Sequence, residues 1–338
     1  MQTAPETPAH PHPGEGLDAR EVLPALRSLV RLRLLSSRMV DLQRAEAIAS
    51  HSACLGEEAA IVGAVMAARE QDWVFPGSRE WGAAIVRGLP IATYVHHAFG
   101  SSLDPAKGHA APDHPPARRV KVAPSSGIAA AHLTQAVGAA WAAKIAKDGI
   151  ATLALFGEGA LGTGDFHHAV NFAGVFKAPC VFVCRRDGRK PGGPRAASSD
   201  ALAEKAVAYG VASAKVDGAD LAQVLAAARE AFARALDGRG PTLVEVTTTP
   251  VDPAAFDAAT DRLAIGDGDP VARLRRVLER DKLVDAAAFD ALVRETKDEI
   301  EAAIVAAKSA APLPASSLFD DVYSELPAHL RAQKESVA

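Results

Sequence analysis

Apolar positions recur along this chain in two rhythms. From Ala19 onward, Leu23, Leu26, Val30 and Leu34 fall at helical spacing, so a long helix is expected there. The arginines in that stretch, from Arg31 to Arg38, read as a solvated face or a contact surface. A second helix is expected over 57–70 and an Ala-rich one over 128–147. Between them, 101–127 is rich in Pro, Gly and polar residues and reads as a long excursion; loops of that length are usually functional or disordered. Two short, continuous apolar runs follow, ATLALF at 151–156 and CVFVC at 180–184, with a helical stretch over 165–177 between them. Buried strands joined by a helix make a βαβ unit and so a parallel sheet. Further strands are expected at 212–217 and 242–248, with a helix between. Residues 250–268 read as loop, and the remainder as helix, with Phe289, Leu292, Val293, Ile300 and Ile304 on one face.

Composition narrows the class. Of 338 residues, 49% are hydrophobic and 23% charged, enough to build a packed core. The net charge of -4 leaves no basic surplus for a phosphate backbone, so no nucleic-acid partner is expected. Three cysteines (Cys54, Cys180 and Cys184) make no disulfide framework and point to a reducing compartment. No apolar stretch reaches the roughly 20 residues of a membrane span. The first 18 residues lack the basic and apolar regions of a signal peptide. The expectation is a cytoplasmic α/β protein with no membrane contact.

In parallel sheets, ligands bind beyond the carboxyl ends of the strands. Two such ends carry unusual residues: Gly157-Glu158-Gly159 after the first apolar run, and Arg185-Arg186-Asp187-Gly188 after the second. Glycines let backbone N–H groups approach a phosphate, and a following helix N-terminus favours an anion. Glu158 sits awkwardly beside a phosphate unless a divalent cation lies between them, and Asp187 could add a second oxygen to that cation. A magnesium-bridged diphosphate is one reading. Gly157, Gly159 and Gly162 also fit G-x-G-x-x-G, with Asp187 placed to take ribose hydroxyls, so a dinucleotide is another. A ligand-free turn is the third.

At these residues the chain resembles the alpha subunit of the thiamine diphosphate-dependent first component of 2-oxo acid dehydrogenase complexes, nearest the branched-chain (2-oxoisovalerate) type. The resemblance runs through GEEAAIVGAV (56–65), DWVFPGSREWGAAIVRGLP (72–90) and QAVGAAWAAK (135–144). It continues through LFGEGALGTGDFHHAVNFAGVFKAPCVFVCR (155–185), AEKAVAYGV (203–211), DPVARLRRVL (269–278) and SLFDDVYSELPAHLRAQ (317–333). It favours the diphosphate over the dinucleotide. The fold it implies is a doubly wound, mostly parallel α/β thiamine diphosphate-binding domain over 21–260, after a disordered tail at 1–20 and before a helical extension at 261–338. The reaction it implies is oxidative decarboxylation of a branched-chain 2-oxo acid, with acyl transfer to a lipoyl acyltransferase core. The implied assembly is α2β2 with a beta subunit, the cofactor and magnesium lying at the α–β interface.

Matched position by position, the resemblance makes Arg79 the grip on the diphosphate and Glu158 the magnesium-ligating acid of the glycine motif. Gly157, Gly159, Ala160 and Arg185 join the cofactor site. Gly127, Ile128 and Ala129 stand where the family has Ser-Pro-Leu beside the aminopyrimidine, with Gly127 and Ala129 placed at the cofactor. The family's Asn-Asn is replaced by Arg186-Asp187. Asp187 then becomes the second metal ligand, and Arg189 stands at the position that ligates through its backbone carbonyl. Ser78 replaces a tyrosine before the arginine. The histidine loop after the last strand is missing: 247–269 contains no histidine, and Pro250 stands near the expected arginine.

Other candidates have blander readings. His167 and His168 read as packing or surface residues, and His132 as a satisfied histidine with a substitute acid–base role as the alternative. His109 and His114 lie in the Pro-rich excursion with no cysteine nearby to complete a metal site. Cys180 and Cys184 read as buried small hydrophobes, and the segment around Leu318, Phe319, Val322 and Tyr323 as a docking arm. Adjacent arginines could take over a metal's charge in a diphosphate pocket. The alternative function is a family member that keeps the assembly surface without turnover, as a structural or regulatory subunit.

Overall fold

A computed structural model of the chain describes residues 17, 19–112, 114–125, 127–189, 202–255, 263, 265, 266 and 268–337. The N-terminal tail, apart from its last few residues, and much of the 247–269 loop lie outside the described residues.

Five strands form one parallel sheet in the order β1-β2-β3-β5-β4. They are β1 (Trp73–Pro76), β2 (Thr152–Gly157), β3 (Cys180–Asp187), β4 (Ala212–Asp217) and β5 (Thr242–Thr248). Side chains alternate across each strand, so the apolar runs feed two cores at once. Ala154, Phe156, Cys180, Phe182 and Cys184 face α5 (Ala131–Ala146), α6 (Gly164–Phe176) and α7 (Leu202–Ala208). Leu153, Leu155, Val181, Val183, Val244 and Val246 face α1 (Ala19–Arg44), α2 (Glu58–Ala67) and α8 (Leu221–Leu236). The chain steps from β1 to β3 with α5 and α6, the helices that lead into β2 and β3, on one face. It then skips a place to β4 and returns to β5 with α8 on the other face. Right-handed crossovers require that change of face when the direction of travel reverses, so the sheet is doubly wound as expected.

The first core also takes in α3 (Gly82–Val86), α4 (Ile91–Phe99), α9 (Pro270–Arg280) and α10 (Ala286–Ser309). Phe289, Ile300 and Ile304 are buried and Leu292 and Val293 pack beside them, the face read from the sequence. The last helix, α11 (Ala328–Ser336), buries no residue, and Leu318, Val322 and Tyr323 before it are exposed.

Three features differ from the sequence reading. β1 is an additional strand, pairing Pro76 with Leu155 and covered on its outer edge by Val122. β3 runs on to Asp187, because β5 continues beside it and pairs Arg186 with Thr247 and Asp187 with Thr248. Arg33 is wholly buried rather than solvated. Its guanidinium meets Glu58 and, at 2.7 Å, Asp269; although burial opposes the charge, these two carboxylates hold it protonated. Arg31 and Arg38 reach Glu299 and Glu301 of α10, so they tie two helices of this chain together. The 101–112 part of the Pro-rich excursion is pinned: buried His97 bonds Asp104 through Nδ1 and the Ala111 carbonyl through Nε2.

Candidate functional site

The carboxyl ends of β1, β2, β3 and β5 meet at one rim of the sheet. β1 stops at Pro76, whose chain turns under a hydrogen bond from Gly77 N to the Leu155 carbonyl, 2.9 Å. A Cβ on Gly77 would lie 2.6 Å from the Glu80 carboxylate, so a larger residue there would push that side chain away from its place. Ser78–Glu80 then form one 3-10 turn, and Glu158–Gly162 another after β2. The second turn leads into α6, capped by Thr163, whose side chain accepts from Phe166 N. α5 enters from the same end, through Ala130 at a φ of 66° and His132, whose Nε2 donates to the Leu155 carbonyl at 2.9 Å.

Buried charge builds the floor of this rim. Arg185, at the end of the apolar part of β3, is 5% exposed and donates through Nε to Glu80 at 2.7 Å. Its other guanidinium nitrogens meet Glu57 and Glu80. Burial opposes this charge, and the two carboxylates hold it in place. Arg185 therefore ties the turn after β1 to the end of β3 and to the N-terminus of α2. Thr248 adds β5, its hydroxyl meeting both Glu57 and the Arg186 carbonyl. Sequence reasoning missed Glu57, Glu245 and the pairing of Glu80 with Arg185. The available signal was an acid in each of two turns beside an apolar helix, GEEA and SRE.

Above this floor lie the predicted ligand residues. Arg79 is exposed on its turn and makes no hydrogen bond or ion pair among the described residues. Gly127, Ala129 and Gly159 are exposed, and a Cβ at Gly127 or Gly159 would meet nothing within 4 Å. Gly157 is partly buried, 3.7 Å in Cβ terms from the Arg185 guanidinium, and Ala160 is buried beneath the turn. Open backbone, a guanidinium without an ion-pair partner among the described residues and a helix N-terminus fit a diphosphate.

The same residues do not fit a divalent cation. The Glu158 carboxylate lies 3.6 Å from Arg186 Nε, and Arg186 Nη1 donates to Glu245 at 3.1 Å. Both Asp187 oxygens accept from the Arg189 guanidinium at 3.0 Å, and one also accepts the Arg189 backbone N–H. Arginine thus covers both carboxylates. Among the described residues, no three His, Cys, Asp or Glu side chains converge to hold a metal.

The remaining candidates divide. His132 is 3% exposed; its Nδ1 makes no hydrogen bond among the described residues, and burial lowers its pKa. It is therefore a half-satisfied neutral histidine at the rim. His167 bonds the Tyr209 hydroxyl and His168 is exposed, as packing and surface residues do. Cys180 and Cys184 are buried, and burial pushes the Cys180 thiol up to about 12.

A family model described as "Dehydrogenase E1 component" matches residues 27–316. The chain is 33% identical over 334 residues to the mouse mitochondrial "2-oxoisovalerate dehydrogenase subunit alpha", covering 95% of this chain and 75% of that protein. It is 32% identical over 337 residues to the subunit of that name from Pseudomonas aeruginosa, covering 95% and 82%. It is 32% identical over 324 residues to the "3-methyl-2-oxobutanoate dehydrogenase subunit alpha" of Mycobacterium tuberculosis, covering 91% and 84%.

Proposed function

Because the chain belongs to the dehydrogenase E1 component family, whose enzymes depend on thiamine diphosphate, we propose that it is the alpha subunit of a branched-chain 2-oxo acid dehydrogenase. Its named relatives across nearly the whole chain support that substrate class. One observation supports the cofactor assignment: Arg79 is exposed on the turn after β1 with no ion-pair partner among the described residues, and the backbone at Gly127 and Gly159 is open. Arg79 would grip the diphosphate, and the backbone from Gly157 to Ala160 would donate to it. Gly127 and Ala129 would flank the aminopyrimidine. Arg185, locked to Glu57 and Glu80, would position these loops rather than touch the cofactor. When bound, thiamine diphosphate supplies the carbanion chemistry of decarboxylation. Magnesium is not part of this proposal, since Glu158 and Asp187 are engaged by arginines.

The partners are a beta subunit, in an α2β2 assembly, and a lipoyl acyltransferase core. Exposed Trp141, Ile145, Val175 and Phe176 on α5 and α6, with Leu318 and Val322 on the C-terminal arm, offer apolar contact area for such subunits. Among the described residues no helix is long and apolar enough to cross a membrane. Three free, buried cysteines suit a reducing compartment, and we place the protein in the cytoplasm.

The test is reconstitution with the cognate beta subunit and measurement of CO2 release from 2-oxoisovalerate. Release that depends on thiamine diphosphate and on both subunits is expected. Assembly without release would support the second reading, a structural subunit without turnover. The arginines covering Glu158 and Asp187 favour that reading.

A further inference from the structure

We infer that Arg186 takes the place of a divalent cation at this rim, so that the site binds a diphosphate ester without metal. The inference rests on the cofactor reading above. It starts from Glu158, a carboxylate in the glycine turn where a diphosphate would lie. Left alone it would repel that anion, so something must neutralise it. Arg186 does so: its Nε lies 3.6 Å from Glu158 and its Nη1 bonds Glu245.

The neighbouring carboxylate is closed to a metal in a different way. Asp187 accepts from the side chain and backbone of Arg189, two residues along, in a forked pair with both oxygens used. A divalent ion would have to displace two guanidinium groups to reach both carboxylates. Arg186 is shared with Glu245, which Lys215 also meets at 3.3 Å, and Arg79, exposed on the adjacent turn, is the cation with no carboxylate partner among the described residues. Guanidinium groups pair with phosphate oxygens through planar, forked donors, so arginine can serve as phosphate partner as well as counter-charge. The three arginines come from the ends of β1 and β3, which flank β2, and Arg185 locks those two ends together from beneath.

The experiment is calorimetric titration of thiamine diphosphate into the full-length chain with its cognate beta subunit, once in EDTA and once in excess magnesium. The expected dissociation constants agree within about threefold. The double variant Arg186→Asn/Asp187→Asn uncovers Glu158 and offers neutral oxygens instead. Its binding should become metal-dependent, weakening about tenfold or more in EDTA. Wild-type binding that is about tenfold or more tighter with magnesium overturns the inference, as does the absence of binding in both conditions. The wild-type comparison decides the matter even if the double variant does not fold. CO2 release from the same preparation separates the two claims. Turnover with magnesium-dependent binding sinks the inference and leaves the function standing; metal-free binding without turnover does the reverse.

Discussion

His51 shows what burial does to a single side chain. Its ring bonds Ser36 through Nε2 and Tyr94 through Nδ1, and it packs on Trp81. Burial pushes its pKa down to about 3. The unfolded chain takes up a proton near the ordinary histidine value of about 6.5, while the folded one stays neutral. Stability therefore falls as pH drops below that value, by up to about 1.4 kcal/mol per pH unit. His51→Gln should flatten the loss in urea midpoint between pH 7 and pH 5; an unchanged slope would place the acid sensitivity elsewhere. Arg33 carries a larger stake. Arg33→Met would leave Glu58 and Asp269 buried without their cation, at a cost of about 3–5 kcal/mol in urea unfolding. A loss below about 1 kcal/mol would mean that water already reaches the cluster. The burial of Arg33 was not legible in the sequence. Its spacing, three after Val30 and seven after Leu26, puts it on the apolar face, so only its charge argued for solvent, and its carboxylate partners on α2 and before α9 meet it only in the fold.

At the scale of elements, legibility followed continuity of apolar residues. β2, β4 and β5 lie within a residue of the expected runs, and α5 and α6 within a few residues. β1 has only four residues and ends in proline, so it offers no run to read; pairing with β2 on one edge and with the backbone around Val122 on the other specifies it. The end of β3 was hidden for the opposite reason. Arg185 to Asp187 look like a loop, but pairing with β5 holds them in the sheet and aims them at the rim. Close packing of elements also shows in Gly174 of α6. A Cβ there would lie 2.1 Å from the Tyr209 carbonyl oxygen beyond α7, a backbone atom that cannot step aside. Gly174→Ala should destabilise the chain by about 1–3 kcal/mol, read as a lower urea midpoint. A neutral result would show that the Tyr209 turn moves freely.

For the whole molecule, two cores share one sheet, and the C-terminal helices α9 and α10 complete the first of them. This accounts for motifs from 56 to 278 that belong to one folded unit although they are scattered along the chain. The sequence alone located the rim, since glycines and charges after apolar strands mark it. It did not reveal how the charges pair, because Arg185 could meet Glu57 and Glu80, and Arg186 could meet Glu158 and Glu245, only once four strands lay side by side. The central claim is that this rim grips the diphosphate of thiamine diphosphate through Arg79. The most direct measurement compares thiamine diphosphate with thiamine monophosphate by calorimetric titration, in wild type and in Arg79→Ala, each with the beta subunit. The diphosphate is expected to bind about tenfold or more tighter than the monophosphate, and Arg79→Ala to remove most of that preference. Equal affinity for the two ligands, or a preference untouched by Arg79→Ala, would contradict that claim.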